Sequence, residues 1–200
     1  MKRVFLIISL LIIGLSIITF ALVDKNYSWH YRITVAVETP EGLKIGSAVR
    51  EISNSEAGAF PPEAGNPGKL RGEAVVVDLG KRGVLFALVS HDSDNRFSQA
   101  FPLPGRSGAL GSTTLEGIQY HASLPVGTKS IVDPTSPYGY PKLVTFTDIN
   151  DPKSVTLAQI WERQKNGRYA LKEDRMEELF GKGVKLKDIT LEITNDPVTW

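Results

Sequence analysis

The apolar residues of this chain change their period near residue 24. Residues 4–23 form a continuous run of twenty without a charge, fifteen of them Leu, Ile, Val or Phe. A helix rises about 1.5 Å per residue, so such a run spans about 30 Å, the depth of a bilayer's hydrocarbon core. At about 0.3–0.6 kcal/mol per apolar residue, insertion is favoured by at most about 5–9 kcal/mol. Ser9, Gly14, Ser16 and Thr19 offset only part of that. Beyond the run the period becomes two. Tyr31, Ile33, Val35 and Val37 share one face, with Arg32, Thr34 and Glu38 on the other, which predicts a half-buried strand. Thr39-Pro40-Glu41-Gly42 reads as a turn, and residues 43–52 as the returning strand of a first hairpin.

Two further apolar runs, residues 74–79 and 84–89, flank Gly80-Lys81-Arg82-Gly83 and predict a second hairpin. The run 84–89 is apolar at every position, as expected for a central strand covered on both faces. Residues 143–149 predict a strand ended by Asp151-Pro152. Residues 154–162 predict another, turning at Lys165-Asn166-Gly167 into 168–171. In 184–194, Val184 and Leu186 keep one phase while Ile189, Leu191 and Ile193 keep the other, which predicts a β-bulge near Lys187-Asp188. Helical signals are few. Thr113-Thr114-Leu115-Glu116 resembles a capping box before about two turns of helix. Residues 173–180 place acids first and Gly181 just past the end. Residues 53–69, 90–113 and 132–142 read as long loops. The expected fold is mainly β: seven to nine mostly antiparallel strands in a sandwich or open barrel, one or two short helices, and one N-terminal transmembrane helix.

Charge sets the orientation and narrows the partners. Lys2 and Arg3 precede the apolar run, while Asp24 and Lys25 cancel after it, so the positive-inside rule keeps the N-terminus in the cytoplasm. The division expected is a cytoplasmic tail at 1–3, a transmembrane helix at 4–23, a juxtamembrane linker at 24–30 and an extracytoplasmic domain at 31–200, held at the inner membrane. A cleaved signal peptide is the alternative, but its best site, after Ala21, places bulky Ile18 at the upstream specificity position. Tyr27, Trp29 and Tyr31 fit either an interfacial aromatic belt or the opening of the first strand, and Asn26-Tyr27-Ser28 matches the glycosylation acceptor pattern. Residues 24–200 hold twenty-one Lys and Arg (twenty-three less Lys2 and Arg3) against twenty-two Asp and Glu, a net of −1. That balance argues against a nucleic-acid partner. With no cysteine, neither a disulfide nor a lipid-modified thiol contributes.

Candidate chemistry is sparse. His91-Asp92-Ser93-Asp94-Asn95 is the densest group of possible ligands, with His121 as a further contributor. Counted from Asp92, however, the sixth and twelfth places of a calcium loop fall on Phe97 and Leu103. Gly105-Arg106-Ser107-Gly108 misses the nucleophile-elbow spacing by one residue. Gly80 and Gly83 bound a hairpin rather than a phosphate loop, because no helix follows. His30 reads as interfacial. No catalytic, metal or cofactor-binding residue is assigned. Pro134-Thr135-Ser136-Pro137-Tyr138-Gly139-Tyr140-Pro141 combines two tyrosines with three prolines. Tyr138 and Tyr140 are therefore the candidate contact residues, because tyrosine buries much area at little entropy cost. Their other reading is that both rings cap the end of the sheet.

The segments Val37-Glu38-Thr39-Pro40-Glu41-Gly42, Gly72-Glu73-Ala74-Val75-Val76-Val77-Asp78-Leu79-Gly80, Leu143-Val144-Thr145-Phe146-Thr147-Asp148-Ile149-Asn150-Asp151-Pro152 and Ile193-Thr194-Asn195-Asp196-Pro197-Val198-Thr199 resemble, in their order, a family of small bacterial membrane-anchored envelope proteins with no assigned activity. The resemblance covers most of residues 31–199, with 158–171 longer than the family pattern. It implies a bacterial envelope setting and nothing about chemistry. The expected function is an interaction or accessory domain with an envelope protein partner. The alternative is a periplasmic hydrolase with a site near His91 and His121.

Overall fold

A computed structural model describes residues 26–55, 68–90, 93–105 and 114–200. The apolar run at 4–23 lies outside the described residues, and no helix among those described is long and apolar enough to cross a membrane.

Alternation in the first segment produces the central strand. β1 (Asn26–Thr39) turns at Pro40-Glu41 into β2 (Gly42–Ser55), with Gly42 at φ +117°. Trp29, Tyr31, Ile33, Val35 and Val37 face inward and are buried. Residues 26–30, expected as linker, are thus already strand. Trp29 and Tyr31 belong to the core rather than to a membrane-interface belt. On its other side β1 pairs with β11 (Lys185–Thr194), which buries Ile189, Leu191 and Ile193. Ala36 is opposite Asp188 while Val37 is opposite Leu186, so Lys187 is the extra residue. The bulge sits where the phase slip placed it. β3 (Lys69–Arg71) and β6 (Lys129–Ile131) complete a five-stranded sheet of order β3-β2-β1-β11-β6.

A second sheet, of order β4-β5-β7-β8, is built from β4 (Val75–Asp78), β5 (Val84–Ala87), β7 (Leu143–Phe146) and β8 (Val155–Leu157). Its inward residues Val75, Val77, Leu85 and Ala87 are fully buried in the same core cluster as β1 and β11. β2 crosses β4 so closely that a Cβ at Gly46 would overlap the Val76 carbonyl. Arg50, completely buried on β2, donates its Nε to the Glu73 carbonyl at 3.1 Å and joins the two sheets. β9 (Gln159–Arg163) and β10 (Tyr169–Asp174) form a separate antiparallel hairpin.

The architecture is mainly β, with antiparallel sheets and few short helices, consistent with the expected sandwich. Several details differ from expectation. Eleven strands occur among the described residues, and three α-helices rather than one or two. The loop expected at 90–113 contains α1 (Ser93–Ala100). Its inward face buries Ser93, Arg96, Phe97 and Ser98, so no apolar stripe marks it. α2 (Leu115–Ala122) is capped by the Thr114 side chain, which accepts from the Gly117 amide, one residue later than the capping-box reading. α3 is only Met176–Phe180, because Glu173 and Asp174 remain in β10. Gly181 follows it at φ +96°. The strand expected at 154–162 is interrupted at buried Ala158, whose amide donates to Leu143 and whose carbonyl accepts from Arg175. β5 is central, between β4 and β7, but only one face is fully buried. Phe86 is half-buried on the outer face, edge-on to Phe146 at 5.5 Å.

Candidate binding groove

The proline-rich segment is held from beneath by α1. Arg96 is buried, and its guanidinium donates to three successive carbonyls: Gly139 at 2.8 Å, Tyr138 at 3.2 Å and Tyr140 at 3.4 Å. The Gly139 amide donates to the Ser136 hydroxyl at 3.0 Å. Gly139 has φ +48°, and a Cβ there would press on the Pro134 carbonyl at 3.1 Å and on the Tyr169 ring. Glycine is therefore required at the point where the chain turns between the two tyrosines.

The β9–β10 hairpin is tied to the same segment. The Tyr169 amide donates to the Thr135 carbonyl at 3.0 Å. The Asp133 carboxylate accepts from the Thr135 amide and hydroxyl and from Arg168. Partial burial, the largest single influence on Asp133, raises its pKa, but the Thr135 hydrogen bonds and the Arg168 charge together bring it below the ordinary value.

Between these pieces lies a groove of about 620 Å3, within the range of small-ligand sites, about 300–1,000 Å3. Four half-buried rings converge on it: Tyr138, Tyr140, Trp161 and Tyr169. Tyr140 meets Trp161 edge-on, with centroids 5.8 Å apart. The indole Nε1 donates to Gln159 Oε1 at 3.3 Å, and Gln159 in turn donates to Asp174 at 3.1 Å, which fixes the ring's tilt. Burial raises the pKa of the Tyr140 phenol, helped by the charges of Asp188 and Asp133. Leu88, Val89 and Leu157 supply an aliphatic wall. Among the described residues, the lining carries two cationic side chains, Arg96 and Lys142, and no carboxylate.

Tyr138 and Tyr140, expected as contact residues, thus share one groove. The capping reading is partly right for Tyr140, which also packs on the core. Trp161, Tyr169, Gln159 and Lys142 were not expected. His91, Asp92 and residues 106–110 lie outside the described residues. Asp94 and Asn95, from the same expected cluster, lie in the first turn of α1. His121 is 1% exposed, among Trp29, Phe97 and Tyr120, with its Nε2 2.9 Å from the Phe101 carbonyl. Burial lowers its pKa, against a smaller opposing effect of that hydrogen bond. His30 Nδ1 lies 2.7 Å from the Asp196 carbonyl. No group of three His, Asp or Glu able to hold a metal occurs among the described residues. Comparison of the chain with models of known protein families, with curated proteins and with solved structures gives no match.

Proposed function

We propose that this protein is a membrane-tethered binding module of the bacterial envelope that acts by contact, with its ligand seated in the aromatic groove of a β-sandwich. One observation carries the reading. Four rings from three separate segments converge on a single open groove, and hydrogen bonds hold the backbone beneath them. Pre-ordered aromatic surface is the kind that most often supplies binding energy, because little entropy is lost on contact. The buried setting of His121 gives the hydrolase alternative no support, since its Nε2 is engaged with a backbone carbonyl.

The tether is the uncharged run at 4–23, with the domain on the periplasmic side. The full chain is expected to stay with membranes through carbonate extraction. Recovery of a soluble form starting near Leu22 would show cleavage instead. The groove itself is tested by mapping a small-molecule fragment library onto the protein by NMR chemical-shift perturbation. Hits should cluster on Tyr138, Tyr140 and Trp161. Hits scattered over the surface would contradict the reading.

A further inference from the structure

The groove runs beside a strand edge that no other described strand covers. Gly167, at φ +80°, donates its amide to the Gln164 carbonyl at 2.9 Å, and the Gln164 amide donates to the Arg168 carbonyl at 2.8 Å. That turn fixes the hydrogen-bonding parity of the hairpin. Tyr169 is opposite Arg163, Ala170 opposite Glu162 and Leu171 opposite Trp161. Antiparallel pairs alternate, so Glu162 and Ala170 exchange hydrogen bonds, whereas the amides and carbonyls of Trp161 and Arg163 point out of the hairpin. On the β10 side the corresponding outward amide, that of Tyr169, is taken by Thr135. On the β9 side no strand among those described pairs with the edge.

Two more observations say what fits there. Gln159, Ile160 and Trp161 are consecutive, and their side chains alternate between the faces of the hairpin, yet all three line the groove. A space touching all three reaches the edge of the strand as well as the face that carries Trp161 and Tyr169. Among the described lining residues the charge is one-sided as well. Arg96 is turned toward the carbonyls of 138–140. Lys142 is exposed and takes part in none of the ion pairs among the described residues.

We infer that the groove binds a peptide in extended conformation, added as a strand to the outer edge of β9, with apolar side chains among the four rings and an acidic side chain meeting Lys142. Main-chain hydrogen bonds to Trp161 in the groove, and to Arg163 two residues beyond it on the same edge, supply affinity, and the rings and Lys142 supply selectivity. This rests on the groove being the ligand site and adds the class of ligand.

The test uses the full chain in detergent and an array of nonapeptides alternating Thr and Val, with Asp, Glu, Lys or an aromatic residue at guest positions. Acid-bearing peptides should bind, and Trp161→Ala should abolish binding. Lys142→Glu, an exposed change that leaves the fold intact, should shift preference to Lys-bearing peptides. The tightest peptide is then remade with alternate backbone amides N-methylated. Methylation in one register should lower affinity by about tenfold or more, while the other register is tolerated, since only alternate amides of an added strand face its neighbour. Equal sensitivity in both registers, an acidic preference unchanged in Lys142→Glu, or no binding above the Trp161→Ala control would overturn strand addition. If fragments still map to the groove while peptides fail, the binding-module reading survives and the peptide inference falls.

Discussion

At the scale of single residues, burial separates neighbours that look equivalent in the sequence. Leu85 and Phe86 both belong to an apolar run, but Leu85 is fully buried and Phe86 only half. Leu85→Ala should cost about 2–5 kcal/mol, as for a core leucine leaving a cavity. Phe86→Ala should cost less than the about 3–5 kcal/mol of a fully buried phenylalanine. Urea denaturation of both variants checks the order, and a larger loss for Phe86 would contradict the burial pattern. His121 makes a second case. Its folded-state pKa is lowered by burial, so the unfolded chain binds the proton more readily. Stability is therefore full above the ordinary histidine value, about 6.5, and declines as pH falls below it, by at most about 1.4 kcal/mol per pH unit for one proton. His121→Phe should flatten the dependence of unfolding free energy on pH between about 7.5 and 5.5 relative to the parent. An unchanged slope would place the responsible group elsewhere.

At the scale of elements, legibility followed whether the signal was local. The alternation of β1, the turn at Pro40-Glu41 and the bulge at Lys187 were all readable, because each is set by a few adjacent residues. α1 was not, because its buried face holds Ser93, Arg96 and Ser98 beside Phe97, so hydrophobic period carries no information there. The groove was half readable. Tyr138 and Tyr140 stand out in their proline-rich segment. Trp161 and Tyr169 reach the same place through a hairpin whose position depends on the Tyr169 amide and Arg168 meeting Thr135 and Asp133, contacts that span more than thirty residues. The Asn166-Gly167 turn was the one local signal, since it fixes the register that puts Trp161 and Tyr169 on a common face. Element packing makes its own forecast. At the β2–β4 crossing a side chain at Gly46 meets backbone, which cannot move aside as a flexible side chain can. Gly46→Ala should lower stability by about 1–3 kcal/mol, the usual range for overpacking. A thermal melt matching the parent would mean that the sheets separate freely there.

At the scale of the whole molecule, two sheets and a hairpin share one division of labour. The large sheet and the inner face of the second supply a continuous core, while the hairpin and the proline-rich segment carry the half-buried aromatic surface. Such a division lets these groove residues vary without endangering the fold, because Trp161, Tyr169 and Lys142 lie outside the set of core residues. The central claim is that the protein works by holding a ligand in this groove. Site-specific photo-crosslinking in intact cells tests it most directly, with a benzophenone amino acid replacing Tyr138 in one strain and exposed Lys185, on β11, in another. A discrete adduct from position 138, absent from position 185 and lost when Trp161→Ala is added, is the predicted result. No adduct at 138, or the same adducts from both positions, would contradict it.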